Sequence, residues 1–197
     1  MERIRVAWGV GAGPTELAAY DAALVDTGVG NHNLRRLSSV IPPGAAVDTV
    51  GTADDIGRVG TALDVVEAGA TGTGPVAAGL GWMRSPSGGV FYEASGTDPD
   101  AVQRRLDDGL RHAREIRDWR FDDPRMHVQS TTPTTTDPTG GAAGRPVHDG
   151  GTDDPSGDTH GSSPSASLDP DEPGDGDADG YVAVTVVAAY GRGDQLL

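Results

Sequence analysis

Two adjacent serines offer the most direct chemistry in this sequence of 197 residues. Ser38 and Ser39 stand in the run Leu-Ser-Ser-Val-Ile-Pro-Pro. Taken alone, such a pair is ordinary and fits two polar residues of a strand. If a strained backbone aims the Ser39 hydroxyl at the Ser38 carbonyl carbon, however, the amide can rearrange to an ester, and elimination of that ester cuts the chain.

The composition narrows the chemistry that such a site can use. All 15 basic residues are arginine, and the sequence contains no lysine and no cysteine. Pyridoxal phosphate is held through a lysine, so this cofactor is excluded. Without cysteine, neither a disulfide nor a thiolate metal site can form. We predict no metal site, because no ligand spacing relates the five histidines His32, His112, His127, His148 and His160.

The charge balance excludes two classes of partner. The net charge is −15 at pH 7, which argues against nucleic acid or an anionic membrane. An acidic surface without lysine indicates a high-salt cytoplasm, where carboxylates keep a protein hydrated, and hence a halophile. The N-terminal residues lack a signal-peptide pattern, and no window approaches the ~18 apolar residues of a membrane span. We therefore expect a soluble, cytoplasmic protein.

The patterning predicts an α+β fold with six or seven strands and two main helices. Strands are expected at residues 3–8, 33–41, 62–68, 75–83, 88–95, 125–129 and 181–190. Gly9, Gly11 and Gly13 predict a turn after the first strand and not a dinucleotide-binding loop, because no suitable βαβ unit follows. The last strand is almost continuously apolar, as in a strand buried on both faces.

Two capped segments predict the helices that must position the site. Thr15 is the expected cap of the first helix, whose apolar face would hold Leu17, Tyr20, Leu24 and Val25. Asp98 caps the second, with Pro99 at its first position. Its apolar residues recur at spacings of three and four, at Val102, Leu106, Leu110, Ala113 and Ile116.

Residues 131–180 differ in composition from the rest of the sequence. They hold eleven acidic residues and one arginine, with no aromatic residue. Such a stretch cannot bury enough apolar surface to offset its ordering entropy. Because a strong strand pattern follows it, we expect a disordered acidic insertion inside a single domain of residues 1–197.

The run from Tyr20 to Pro43 and a second stretch around Glu93 resemble a known family. The first contains Asp-Ala-Ala-Leu, the turn Gly-Val-Gly-Asn-His-Asn-Leu and Ser-Ser-Val-Ile-Pro-Pro, and the second reads Gly-Gly-Val-Phe-Tyr-Glu-Ala. Together they resemble the pyruvoyl-dependent arginine decarboxylases of archaea. The resemblance covers nearly all of the chain apart from residues 131–180.

This resemblance implies self-cleavage between Ser38 and Ser39. Ester formation and elimination would leave dehydroalanine at position 39, and hydrolysis would convert it into a covalent pyruvoyl group and ammonia. The products would be a β chain of residues 1–38 and an α chain of residues 39–197 that begins with the pyruvoyl group. That group replaces pyridoxal phosphate as the electron sink, which fits a chain without lysine.

The resemblance also implies roles for individual residues. Glu93 would be the proton donor in catalysis, and Asn33 would support self-cleavage by a hydrogen bond to the oxyanion. Asp21 would pair with the substrate guanidinium. The substrate pocket would also be lined by Leu24, Gly30 and Val40. The ordinary alternatives are a surface carboxylate for Glu93, a turn residue for Asn33 and an exposed helix acid for Asp21.

By the same resemblance, the fold is an αββα sandwich, and cleaved protomers form a homotrimer with active sites between neighbouring subunits. The implied reaction converts L-arginine to agmatine and carbon dioxide and feeds polyamine synthesis. Two alternatives remain open. The same chemistry could act on another amino acid, or the chain could be an unprocessed, non-catalytic relative that binds an arginine-like ligand or regulates a partner subunit.

Overall fold

The strands form two sheets, and the segment that holds Ser38 and Ser39 joins an edge of one sheet to an edge of the other. The computed structural model describes residues 3–133 and 180–194. The elements are β1 (Arg3–Gly13), α1 (Glu16–Asp26), β2 (Asn33–Arg36), β3 (Val40–Ile41), β4 (Ala46–Gly51), β5 (Ala62–Gly72), β6 (Val76–Ser85), β7 (Gly88–Gly96), α2 (Pro99–Ile116), β8 (Arg125–Thr131) and β9 (Tyr181–Asp194). Sheet A has the order β2-β5-β9-β1-β4, and sheet B has the order β3-β7-β6-β8.

The two sheets share one hydrophobic core. Val66 and Val184 of sheet A lie in the same buried cluster as Leu80, Trp82 and Phe91 of sheet B. Helix α1 packs against β1, β5 and β9, while α2 packs against β6, β7 and β8. The described residues therefore form a mixed α+β structure that is compatible with a sandwich.

The predicted turn at the N-terminal glycines is wrong, because β1 continues without a break to Gly13. Gly9, Gly11 and Gly13 face α1 at very short range. A Cβ atom on Gly11 would collide with the backbone of Ala19, and one on Gly9 with the backbone of Ala23. The absence of side chains at these glycines therefore allows α1 to pack closely against β1.

Helix α1 begins after Thr15, as predicted, and the Thr15 side chain accepts a hydrogen bond from the Ala18 N–H. The predicted apolar face is only partly correct, since Tyr20 and Leu24 are half-buried and pack against buried clusters. The fully buried residues are Ala19 and Ala23, whereas Leu17 is 75% exposed and Val25 is 56% exposed. Small residues face the glycines because only they allow the close approach, and this leaves Leu17 and Val25 exposed.

Helix α2 follows its prediction more closely. Asp98 is its N-cap and Pro99 its first residue, and the buried residues are Val102, Leu106, Leu110 and Ala113. Ile116, at the end of the helix, is exposed instead of buried. The helix covers the outer face of sheet B with a regular apolar stripe.

Strand β9 lies at the centre of sheet A between β5 and β1 and is antiparallel to both. Residues 182–190 are all buried, so the prediction of a strand buried on both faces is confirmed. Of the expected insertion at 131–180, Thr131 ends β8 and Gly180 precedes β9. Residues 134–179 lie outside the described residues.

A histidine between the sheets makes the stability dependent on pH. Trp8 of β1 and His127 of β8 stack with ring centroids 3.7 Å apart, and burial lowers the pKa of His127 from its ordinary value. The unfolded chain therefore binds a proton at a higher pH than the folded chain does. The stability that neutral His127 provides is fully present above about pH 6.5 and is lost as the pH falls through the lowered pKa.

We expect a His127→Phe variant, which keeps an aromatic ring beside Trp8, to lose less thermal stability on acidification than the parent. Unfolding midpoints measured across this range of pH test the difference. His112→Gln is the matched control, because His112 lies exposed on α2. Parallel curves for the parent and His127→Phe would contradict the assignment.

Candidate active site

The Ser38–Ser39 bond lies in the crossover, the segment of residues 37–39 that leads from β2 of sheet A to β3 of sheet B. The Leu37 N–H donates a hydrogen bond to the Val65 carbonyl of sheet A at 2.8 Å, and the Phe91 N–H of sheet B donates to the Ser39 carbonyl at 2.8 Å. The predicted strand over residues 33–41 is therefore two strands, β2 and β3, with the serine pair between them. The peptide bond between the serines lies between two anchored points.

The backbone of Ser39 is in the left-handed region, with φ of 66°. Asp55 is the other non-glycine residue with positive φ among those described, and aspartate tolerates that conformation better than most residues. Such a backbone costs about 1–3 kcal/mol and persists only where its surroundings enforce it. The strain therefore falls on the residue at the predicted cleavage site.

Glu93 lies directly beside Ser39. The Ser39 hydroxyl donates a hydrogen bond to Oε1 of Glu93, which is on β7, the strand that pairs with β3. Ser39 is half-buried and Glu93 is exposed. The fold thus joins a hydroxyl to a carboxylate, as a nucleophile and a proton acceptor require.

Asn33 begins β2, on the sheet A side of the crossover. Its backbone N–H donates to the Thr61 carbonyl at 2.9 Å, and its side-chain amide donates to the Gly60 carbonyl at 2.7 Å. Among the described residues it has no hydrogen bond to Ser38 or Ser39. One of its two amide hydrogens is engaged by Gly60, and the other is available to a group on the exposed side.

The other predicted site residues lie on α1, on the turn after it and on β3. Asp21 is exposed, and no ion pair or hydrogen bond involves its side chain within residues 3–133 and 180–194. Leu24 packs against the cluster under α1, and the Gly30 N–H donates to the Leu24 carbonyl at 3.0 Å. No side-chain hydrogen bond or ion pair joins Asp21 to Ser39 or Glu93 within the described part of one chain.

The turn after α1 needs glycine for its own geometry. Gly28 has φ of 84°, and a Cβ atom on Gly30 would lie 2.8 Å from the Val25 nitrogen. The turn alone accounts for Gly28. At Gly30 the close approach to α1 explains the missing side chain and is compatible with a pocket wall.

A cavity of about 340 Å³ adjoins the crossover. Its lining includes Leu37, Val40 and Tyr190, together with the paired charges of Arg35 and Asp64. Of the four predicted substrate residues, only Val40 lines it. A larger cavity of about 530 Å³, lined by Arg84 and Phe121 among others, contains none of the predicted site residues.

A charged cluster that was not predicted from the sequence ties α1 to β2. The Glu67 side chain is 3% exposed and accepts hydrogen bonds from the Tyr20 hydroxyl at 2.6 Å and from the Arg36 guanidinium at 2.9 Å. Burial and the hydrogen bond to Glu67 raise the pKa of Tyr20 to about 12. The same carboxylate raises the pKa of Arg36.

A signal for this cluster was present in the sequence. Glu67 interrupts the apolar run of β5, and a carboxylate in a buried strand needs partners because burying an unpaired charge is very costly. The pair Arg36–Glu67 fixes the end of β2 three residues before Ser39. The cluster therefore supports the geometry of the crossover from the α1 side.

Two further structural findings concern the described residues alone. Neither α1 nor α2 is long and apolar enough to cross a membrane. In the described part of the chain, no group of three or more histidine, aspartate or glutamate side chains is arranged to hold a metal ion.

Comparisons with known proteins give matches to one family. A family model described as pyruvoyl-dependent arginine decarboxylase matches residues 3–141. The pyruvoyl-dependent arginine decarboxylase of Halobacterium salinarum is 49% identical over 136 residues, which cover 67% of this chain and 85% of the relative. That of Methanopyrus kandleri is 39% identical over 99 residues, 50% of this chain and 63% of the relative. That of Thermococcus kodakarensis is 36% identical over 109 residues, which cover 50% of this chain and 68% of the relative.

These matches show that this α+β protein is a decarboxylase of the pyruvoyl-dependent class. The chain belongs to the pyruvoyl-dependent arginine decarboxylase family. The resemblance found in the motifs is confirmed, and a match in Halobacterium is consistent with the expected halophilic origin.

Proposed function

We propose that this protein cuts itself between Ser38 and Ser39 and then decarboxylates L-arginine to agmatine and carbon dioxide. The observation that carries the proposal is the strained Ser39 whose hydroxyl is bound by Glu93. Cleavage yields chains of residues 1–38 and 39–197. Agmatine then feeds polyamine synthesis, and the acidic, lysine-free composition suits work in a high-salt cytoplasm.

The residues around Ser39 fit a pyruvoyl group formed from that serine. Its carbonyl is held by the Phe91 N–H at 2.8 Å, and its side chain ends at the Glu93 carboxylate. A pyruvoyl group supplies a ketone that condenses with the substrate amine and an amide carbonyl that takes up electrons as carbon dioxide leaves. Neither lysine nor pyridoxal phosphate is needed for this chemistry.

Glu93 and Asn33 act at different stages of this scheme. During self-cleavage, the Glu93 carboxylate takes up the proton of the Ser39 hydroxyl, whose oxygen attacks the Ser38 carbonyl carbon. The amide C–N bond then breaks to leave an ester, and the proton passes to the Ser39 nitrogen. The free amide hydrogen of Asn33 stabilises the oxyanion that forms at the Ser38 oxygen. During turnover, Glu93 returns a proton to the substrate carbon that has lost its carboxylate.

The substrate site includes Asp21, Leu24, Gly30 and Val40. The exposure of Asp21, together with its lack of a partner among the described residues, supports a role as acceptor for a guanidinium group, whose planar fork matches a carboxylate. We propose that a neighbouring subunit completes the site in a homotrimer of cleaved protomers. Each protomer then has the αββα sandwich of the family.

Replacement of Asp21 by asparagine tests the choice of substrate. We expect kcat/KM for arginine to fall about 10- to 100-fold, mainly through KM, because a charge-assisted hydrogen bond is lost. Self-cleavage should be unchanged. Release of carbon dioxide from arginine, ornithine, lysine, histidine and aspartate by parent and variant gives the comparison.

Glu16→Gln is the matched control, since Glu16 is another exposed acid of the same helix. An unchanged KM for arginine in Asp21→Asn would contradict the role of Asp21. Preferential turnover of aspartate by the parent would instead favour the same chemistry on another amino acid.

A further inference from the structure

The backbone carbonyl of Val40, the first residue after the crossover, is not bound by a strand of its own sheet. Val40 pairs with Val90 of the antiparallel strand β7, and the flanking Phe91 N–H donates to the Ser39 carbonyl. This pattern makes Val40–Val90 a non-hydrogen-bonded pair, in which the backbone groups of Val40 point away from the partner strand. Since β3 is the edge of sheet B, no strand of that sheet can satisfy the Val40 carbonyl.

A tyrosine side chain of sheet A satisfies this carbonyl. The Tyr190 hydroxyl donates a hydrogen bond to the Val40 carbonyl at 3.0 Å. Tyr190 is only 7% exposed, and its ring packs edge-on against Phe91 with centroids 6.3 Å apart. Because β9 is the central strand of sheet A, this hydroxyl is fixed to a rigid part of the protein.

We propose that Tyr190 is a positioning residue for self-cleavage, a role that rests on the proposed function. The Tyr190 hydroxyl holds Val40, so that Ser39 keeps its left-handed backbone and the hydrogen bond from its own hydroxyl to Glu93. Tyr190 lies beyond residues 3–141, which match the family model. The final strand, which follows the acidic segment, thereby contributes directly to the cleavage site.

The crossover is restrained on both sides. On the sheet A side, the Leu37 N–H is bound to the Val65 carbonyl at 2.8 Å. On the sheet B side, β3 has only two residues, and the bonds from Phe91 and Tyr190 hold consecutive carbonyls. A strained backbone relaxes when one of the contacts that enforce it is lost. Loss of the Tyr190 bond would leave the Ser39 carbonyl held by Phe91 but would loosen the backbone at Val40, on the side of the shorter strand β3.

The test uses Tyr190→Phe, which removes the hydroxyl and keeps the ring against Phe91. We expect the freshly made chain to cleave about three- to tenfold more slowly than the parent, the effect of one hydrogen bond on a barrier. The KM of the cleaved enzyme for arginine should change much less than the cleavage rate, because the Tyr190 hydroxyl is bound to the Val40 backbone and the ring that lines the cavity is kept. Tyr181→Phe, at the start of the same strand, is the matched control.

A second measurement keeps the proposal testable if Tyr190→Phe affects folding. In the uncleavable Ser39→Ala chain, we expect Tyr190→Phe to speed amide hydrogen exchange in a peptide of residues 37–42 at least about threefold. Exchange in a peptide of residues 182–190 should remain unchanged. Equal acceleration in both peptides would mean general destabilisation and would overturn the positioning role.

The outcomes separate this inference from the proposed function. If the parent cleaves and Tyr190→Phe cleaves at the same rate, Tyr190 does not position the bond, while self-cleavage stands. If the parent chain never cleaves, the proposed function fails and this inference fails with it. Slower cleavage with a much smaller change in KM and local acceleration of exchange would support the role of Tyr190.

Discussion

A Ser39→Ala chain is expected to remain one uncut polypeptide without any decarboxylase activity. The alanine has no hydroxyl to attack the Ser38 carbonyl carbon, so neither the ester nor the pyruvoyl group can form. The loss should be complete, because the missing group is the reacting group and no other residue replaces it. Denaturing electrophoresis and carbon dioxide release from arginine measure the two effects.

Ser95→Ala is a suitable control for this prediction. Ser95 is an exposed serine of β7, two residues after Glu93, and this variant should cleave and turn over arginine like the parent. A Ser39→Ala chain that is still cut after residue 38 would show that another nucleophile is responsible. Uncut protein with full activity would rule out the pyruvoyl group altogether.

Glu93→Gln should lower turnover per cleaved site by about 10²- to 10⁴-fold, the range for loss of a general acid. Glutamine keeps the size of glutamate and can still accept a hydrogen bond from the Ser39 hydroxyl. We therefore expect cleavage to continue at a lower rate, so that the cleaved fraction can be isolated and assayed. The experiment measures kcat against the amount of chain 39–197.

Normalisation to cleaved chain separates the two roles of Glu93. Glu115→Gln, which replaces an exposed acid of α2, serves as the control and should match the parent. Full turnover by cleaved Glu93→Gln would exclude Glu93 as the proton donor. A chain that cleaves normally but does not turn over would confine Glu93 to catalysis.

The regular patterns of the sequence predicted α2 and β9 well. In α2, apolar residues at spacings of three and four identified the buried stripe, because this helix packs on a sheet with ordinary side chains. In β9, the continuous apolar run indicated burial on both faces. Each pattern lies within one element, and in each element the buried positions are those that carry apolar side chains.

The N-terminal helix shows where periodicity fails. Leu17 and Val25 suggested a buried apolar face, yet the buried residues are Ala19 and Ala23. The reason lies in another element, since the glycines of β1 bring the helix so close that only small side chains fit. Glycine at every second position at the end of β1 is a signal of close backbone approach, but it does not say which element approaches.

The active site could be predicted only in part. The motifs around Ser39 and Glu93 identified both residues through a resemblance, but their contact joins residues 54 positions apart. No spacing rule predicts that contact, because it depends on β3 pairing with β7. The hydrogen bond from Tyr190 to Val40 spans 150 positions and arises from the meeting of the two sheets at the crossover.

The most direct test of self-cleavage is the intact mass of the purified protein under denaturing conditions, after maturation at high salt. We predict two chains, one ending at Ser38 and one beginning at position 39 with a mass lower by one ammonia than that of the same chain starting with serine. A single uncut chain would contradict the account, because it would leave the protein without its electrophile.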